Sequence, residues 1–101
     1  MSEFVDVCPL SELEPGTTRE ALVGDKAVAV VNVEGDVYAV SNICLHRGGP
    51  LGQGFVQGSL LLCPWHAWAF DPKTGVSDVN PDMKLSCYEV KVEDGRILVK
   101  V

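Results

Sequence analysis

Cys44-Leu45-His46 and Cys63-Pro64-Trp65-His66 place one thiol and one imidazole in each of two short segments, with sixteen residues between His46 and Cys63. Together they contain both histidines of the chain. Two Cys and two His are enough for a closed four-ligand metal site. Such a site constrains the fold, because both segments must be loops held rigidly and brought face to face.

The flanking sequence supplies short strands. Glu3 to Val7 alternates apolar and polar residues, and Thr17 to Val23 has the length of a second strand. Ala27 to Val33 and Val37 to Val40 flank the turn signal Glu34-Gly35-Asp36, which predicts a hairpin. Tyr88, Val90 and Val92 share one face, with Glu89, Lys91 and Glu93 on the other. Asp94-Gly95 then turns the chain into Arg96 to Val101, where Ile97, Val99 and Val101 alternate with Leu98 and Lys100. Helical periodicity is missing from every window of ten residues, and Ser11 to Glu14 supplies one turn of helix at most. Short strands separated by Gly and Pro turns predict an all-β, antiparallel sandwich or barrel. With no repeat or linker, 101 residues make a single domain spanning 1–101.

The middle of the chain differs. Residues 42–58 hold Gly48, Gly49, Pro50, Gly52, Gly54 and Gly58. Such a run lets backbone wrap closely around a compact inorganic group and aim amide N–H groups at it. Leu60-Leu61-Leu62 precedes the second Cys/His loop, Ala67 to Phe70 follows it, and Asp71 to Gly75 forms the next turn. Each loop is therefore expected to be held between strands.

Composition excludes several classes. A net charge of −6 with scattered Lys and Arg leaves no basic stripe for nucleic acid, and fits solubility or docking to a basic patch on a partner. The longest apolar run, Ala27 to Val31, is far too short to span a membrane. Met1-Ser2-Glu3-Phe4 lacks the pattern of a signal peptide, so a cytoplasmic location is expected. Without a secretory context, Cys8 and Cys87 are expected to be small buried apolar side chains rather than a disulfide.

Three readings of Cys44, His46, Cys63 and His66 compete. The first is no metal at all, which a doubled Cys/His pattern using every histidine argues against. Structural zinc accepts the same ligands, although zinc fingers usually pair cysteine with cysteine and histidine with histidine. The third is a [2Fe–2S] cluster with mixed ligation, in which one iron takes both sulfurs and the other both imidazoles.

The C-x-H…C-x-x-H pattern resembles the signature of Rieske proteins, and the flanking residues agree. Arg47-Gly48-Gly49-Pro50-Leu51 and Trp68-Ala69-Phe70-Asp71-Pro72-Lys73-Thr74-Gly75 are similar to Rieske ferredoxins, from about Val37 to the C-terminus. The resemblance implies a Rieske fold, an antiparallel β base with a small cluster-binding subdomain inserted at about 42–70. It implies one [2Fe–2S] cluster, with Cys44 and Cys63 on the inner iron and His46 and His66 on the outer. High-potential relatives carry an extra cysteine in each loop, joined by a disulfide, where this chain has Gly49 and Trp65. They also carry a serine and a tyrosine that donate to cluster sulfur, where this chain has Trp68 and Phe70. The resemblance therefore implies a potential in the lower part of the Rieske range of about −150 to +300 mV. It also suggests that Trp65 covers the cluster, that Trp68 packs, and that Val79-Asn80-Pro81-Asp82 is the family's proline loop.

No histidine remains for a mononuclear oxygenase iron, and no G-x-G-x-x-G motif for a nucleotide. The chain therefore reads as an electron carrier or a subunit, not a complete enzyme. Its expected partners are a flavin reductase and a terminal oxygenase. Alternatively, it is the small subunit of an NAD(P)H-dependent nitrite reductase-like complex, docked on the large subunit.

Overall fold

The computed structural model describes residues 4–42, 50–64, 69–77, 82 and 84–100. Its strands are β1 (Val5–Pro9), β2 (Thr17–Val23), β3 (Lys26–Val33), β4 (Asp36–Ser41), β5 (Phe55–Gln57), β6 (Leu60–Leu62), β7 (Ala69–Phe70), β8 (Cys87–Glu93) and β9 (Arg96–Lys100). The only helical elements among the described residues are two three-residue 3-10 turns, Leu10–Glu12 and Leu51–Gln53. The expected all-β class is what the chain adopts. None of its described helical segments is long and apolar enough to cross a membrane.

Six strands form one antiparallel sheet in the order β1-β9-β8-β4-β3-β2. Its edge strands β1 and β2 meet, so the sheet curls into a nearly closed barrel. A second antiparallel sheet, β5-β6-β7, packs against it.

Alternation along β3 creates two cores. Val28 and Val30 point into the barrel, where they meet Cys8, Leu13, Val23, Ala39, Ile97 and Val99. Ala29, Val31 and Val33 point the other way, toward Val40, Leu51, Leu61, Cys63, Phe70 and Leu85. A strand buried on both faces needs an unbroken apolar run, which explains why Ala27 to Val31 lacks polar alternation. The one polar exception, Asn32, is buried and fully used. Its Nδ2 donates to the Leu13 carbonyl and its Oδ1 accepts the Gly35 N–H, each at 2.8 Å. It thereby ties the β3–β4 turn to the segment after β1.

Several expectations shift in detail. β1 begins at Val5 rather than Glu3 and runs to Pro9, because a register shift between Asp6 and Cys8 turns the Cys8 side chain into the barrel. β5 fell inside the glycine-rich run and was not expected. Cys8 is buried as anticipated, but Cys87 is exposed and neither forms a disulfide. The cause is register: Tyr88 and Val90 face the barrel core, so Cys87 points outward at the start of β8. Desolvation raises both thiols above their ordinary range, so neither is an activated nucleophile.

Candidate metal centre

Of the four candidate ligands, Cys63 is described; Cys44, His46 and His66 lie outside the described residues, as do Gly49, Trp65, Trp68 and Pro81. The described residues alone contain no group of three or more metal-ligating side chains. Cys63 directly follows β6, and the second Cys/His loop leads into β7, so this loop is held between paired strands as expected.

The Cys63 thiol is 1% exposed and packed in the core with Leu51, Leu61 and Phe70. A free thiol in a dry, apolar wall fits an inner iron, since water is kept from the metal–sulfur bond. The donor set fits as well: two thiolates and two neutral imidazoles balance two ferric ions and two sulfides to a formal charge of zero. An all-cysteine site would carry two further negative charges and resist the added electron.

Gly54 brings β5 against the residue preceding Cys63. A Cβ at this position would overlap the Leu62 carbonyl oxygen. Gly52 makes an equally close approach, but to Glu20 of β2, where a Cβ would lie 2.5 Å from the backbone nitrogen and 2.7 Å from Cα. These two glycines thus serve close backbone packing within the chain rather than the inorganic group that the glycine-rich run suggested.

The first Cys/His loop departs from Asn42 and returns at Pro50. Asn42 is buried and its groups are engaged on both sides. Its carbonyl accepts the Leu51 N–H at 2.8 Å and its Oδ1 accepts the Gly52 N–H at 2.6 Å. Its Nδ2 donates to one carboxylate oxygen of Glu20 at 2.8 Å, and Gln53 Nε2 donates to the other at 2.8 Å. These two amides, Gln53 first, hold the Glu20 carboxyl below its ordinary range against the opposing effect of desolvation. Sequence reasoning passed over Glu20 and Gln53. One sits 24 residues before Cys44, and nothing in a lone Glu on an alternating strand signals such a role.

The structure thus shows a small all-β domain in which Cys63, one of the four candidate ligands, is a buried thiol just after a short strand. The chain belongs to the Rieske [2Fe–2S] domain family, whose model matches residues 3–89. It is 32% identical over 99 residues to the ferredoxin component of the naphthalene 1,2-dioxygenase/salicylate 5-hydroxylase systems of Ralstonia sp., covering 97% of this chain and 95% of that one. A solved complex of reduced oxygenase and oxidized ferredoxin in carbazole 1,9a-dioxygenase matches with TM-score 0.85 and 34% identity, over 95% of this chain and 91% of that one. The putative NADH-dependent nitrite reductase small subunit of Mycobacterium tuberculosis matches with TM-score 0.91 and 25% identity, over 100% and 96%.

Proposed function

We propose that this protein is a one-electron carrier, taking electrons from a flavin reductase and passing them to the terminal oxygenase of a ring-hydroxylating or similar system. The observation that carries the reading is the doubled Cys/His motif in a chain that matches, over nearly its whole length, a ferredoxin captured with its oxygenase. When bound, the [2Fe–2S] cluster supplies reversible uptake of one electron. In this reading Cys44 and Cys63 hold the inner iron, and His46 and His66 the outer. The buried Cys63 keeps water from one side, and the neutral imidazoles keep the site's formal charge low. Residues 42–70 form the cluster-binding part of a single domain. The chain supplies an electron-transfer component and leaves substrate chemistry to its partner.

A cytoplasmic location is part of the proposal, supported by the free thiols of Cys8 and Cys87, as a reducing compartment allows. The match to a nitrite reductase small subunit favours a second reading, a permanent subunit of a reductase complex. Weak, transient docking belongs to a shuttle and a stable complex to a subunit.

The test of the site is an EPR spectrum of the dithionite-reduced protein. A mixed-ligand [2Fe–2S] signal is expected in the wild type and is lost in Cys63→Ser or His66→Ala. Zinc without iron would overturn the reading. Size-exclusion of the native protein from its source separates the two functions: a free small protein supports the carrier, and co-elution with a large reductase subunit supports the alternative.

A further inference from the structure

We infer that Glu20 is a positioning residue for the cluster, holding both ends of the first Cys/His loop through Asn42 and Gln53. This role rests on the Rieske reading above but is carried by observations remote in sequence from the ligands. Asn42 is the last described residue before the loop, and the Leu51–Gln53 turn is the first structured element after it. The two oxygens of one carboxylate take one amide from each side of the loop, both at 2.8 Å. The Asn42 carbonyl and side-chain oxygen close the ring by accepting the Leu51 and Gly52 N–H groups. Gly52 meets the Glu20 backbone so closely that no larger residue fits, which presses the return of the loop onto β2.

The arrangement fixes the separation of the loop ends. A seven-residue loop, 43–49, that carries Cys44 and His46 is thereby closed at its base by a structure outside itself. Fixing the ends removes conformational freedom that the ligands would otherwise lose on binding iron. A carboxylate does this better than a neutral acceptor, because hydrogen bonds to an ionised group are the stronger kind. The Glu20 carboxylate bonds Asn42 and Gln53, so the role inferred for it acts through the ends of the loop.

The experiment compares full-length holoprotein as wild type, Glu20→Ala, Glu20→Gln and Gln53→Ala. Iron loss to a chelator is followed by visible absorbance, with the EPR signal of the reduced protein and the thermal midpoint measured in parallel. Glu20→Ala is expected to lose iron several-fold faster, because the unfixed loop ends must be ordered on binding, with a broadened or shifted EPR signal. Glu20→Gln should return most of the wild-type behaviour, since its amide can accept from Asn42 and donate to a turned Gln53. Gln53→Ala alters only an exposed side chain and removes one arm, so it keeps the role testable if Glu20→Ala does not fold; an intermediate rate is expected. Variants that release iron at the wild-type rate with unchanged signals overturn the role, as does a lowered thermal midpoint with no change in cluster behaviour. A wild-type protein without the mixed-ligand signal overturns the underlying reading, and the role with it.

Discussion

At the scale of single residues, backbone contact and charge pairing decide what each position tolerates. Gly54 leaves no room for a Cβ beside the Leu62 carbonyl, immediately before Cys63. Gly54→Ala is therefore expected to destabilise the fold by about 1–3 kcal/mol, the usual cost of overpacking, read as a lower urea midpoint. An unchanged midpoint would mean that β5 can withdraw from β6 without loss. Asp6 and Arg96 illustrate charge pairing across β1 and β9. Arg96 Nε lies 3.0 and 2.9 Å from the two carboxylate oxygens and Nη2 lies 2.8 Å from the first. The hydrogen bonds from Arg96 hold the Asp6 carboxyl below its ordinary value of 3.8. A carboxyl lowered on folding adds stability that is present above its unfolded value and disappears as pH falls through the folded one. Asp6→Asn should thus melt slightly lower than wild type at pH 7, and the gap should close in acid below the ordinary carboxylate range. A gap that persists there would assign the effect to packing. Phe70 speaks to the redox chemistry. Wholly buried and without a hydroxyl, it cannot donate where high-potential relatives use a tyrosine. Together with Trp68 at the serine position, this sets the expected potential in the lower part of the family's range, about −150 to +300 mV. A strongly positive value in a redox titration would contradict it.

At the scale of elements, the molecule divides into a barrel and a three-stranded layer joined through β3. Phe70 on β7 and Leu61 on β6 are fully buried in the shared core. Phe70→Ala should cost about 3–5 kcal/mol, typical of deleting a buried aromatic, in urea unfolding. A cost under about 1 kcal/mol would show that the small sheet collapses freely onto the cavity. The hairpins β3–β4 and β8–β9 were legible because period-2 alternation and two-residue turns are local signals. Glu34-Gly35 and Asp94-Gly95 duly have positive φ, as tight hairpin turns require. β5 was not legible: three residues between Gly54 and Gly58 carry no period, and only pairing with β6 makes them a strand. Cys87 was misread because type alone suggested burial, whereas the register of β8 sets its direction. Of the site, sequence spacing picked out the four candidate ligands, but not the Glu20 clamp, whose partners are brought together only by the pairing of β2, β3 and β4 and the return of the loop.

At the scale of the whole molecule, the topology gathers three carboxylates at one end of the sheet. Glu34 opens the β3–β4 turn, Asp36 follows it, and Asp94 opens the β8–β9 turn. The register places these turns at the same end: Val33 pairs with Asp36 there, while Val28 pairs with Ser41 at the other end, next to the departure of the first Cys/His loop. β8 runs antiparallel to β4 with Cys87 opposite Val40, which carries its far end toward Asp36. β3 spans eight residues, so the two ends are about 23 Å apart. That is nearly three Debye lengths at physiological ionic strength, about 8 Å each. The net charge of −6 is therefore a poor guide to what a partner meets at the loop end. If the partner docks there, as the proposed function requires, these three carboxylates chiefly solvate the protein. The triple variant Glu34→Gln/Asp36→Asn/Asp94→Asn removes half of the net charge. It should alter the second-order rate of reduction by the partner reductase by less than about twofold at 0.15 M ionic strength, by the same screening argument. At 0.01 M, where the Debye length reaches about 30 Å, the variant and wild type should separate. A several-fold loss already at physiological salt would place the grip of the reductase on the hairpin end, and the electron's route would then have to cross the length of the barrel.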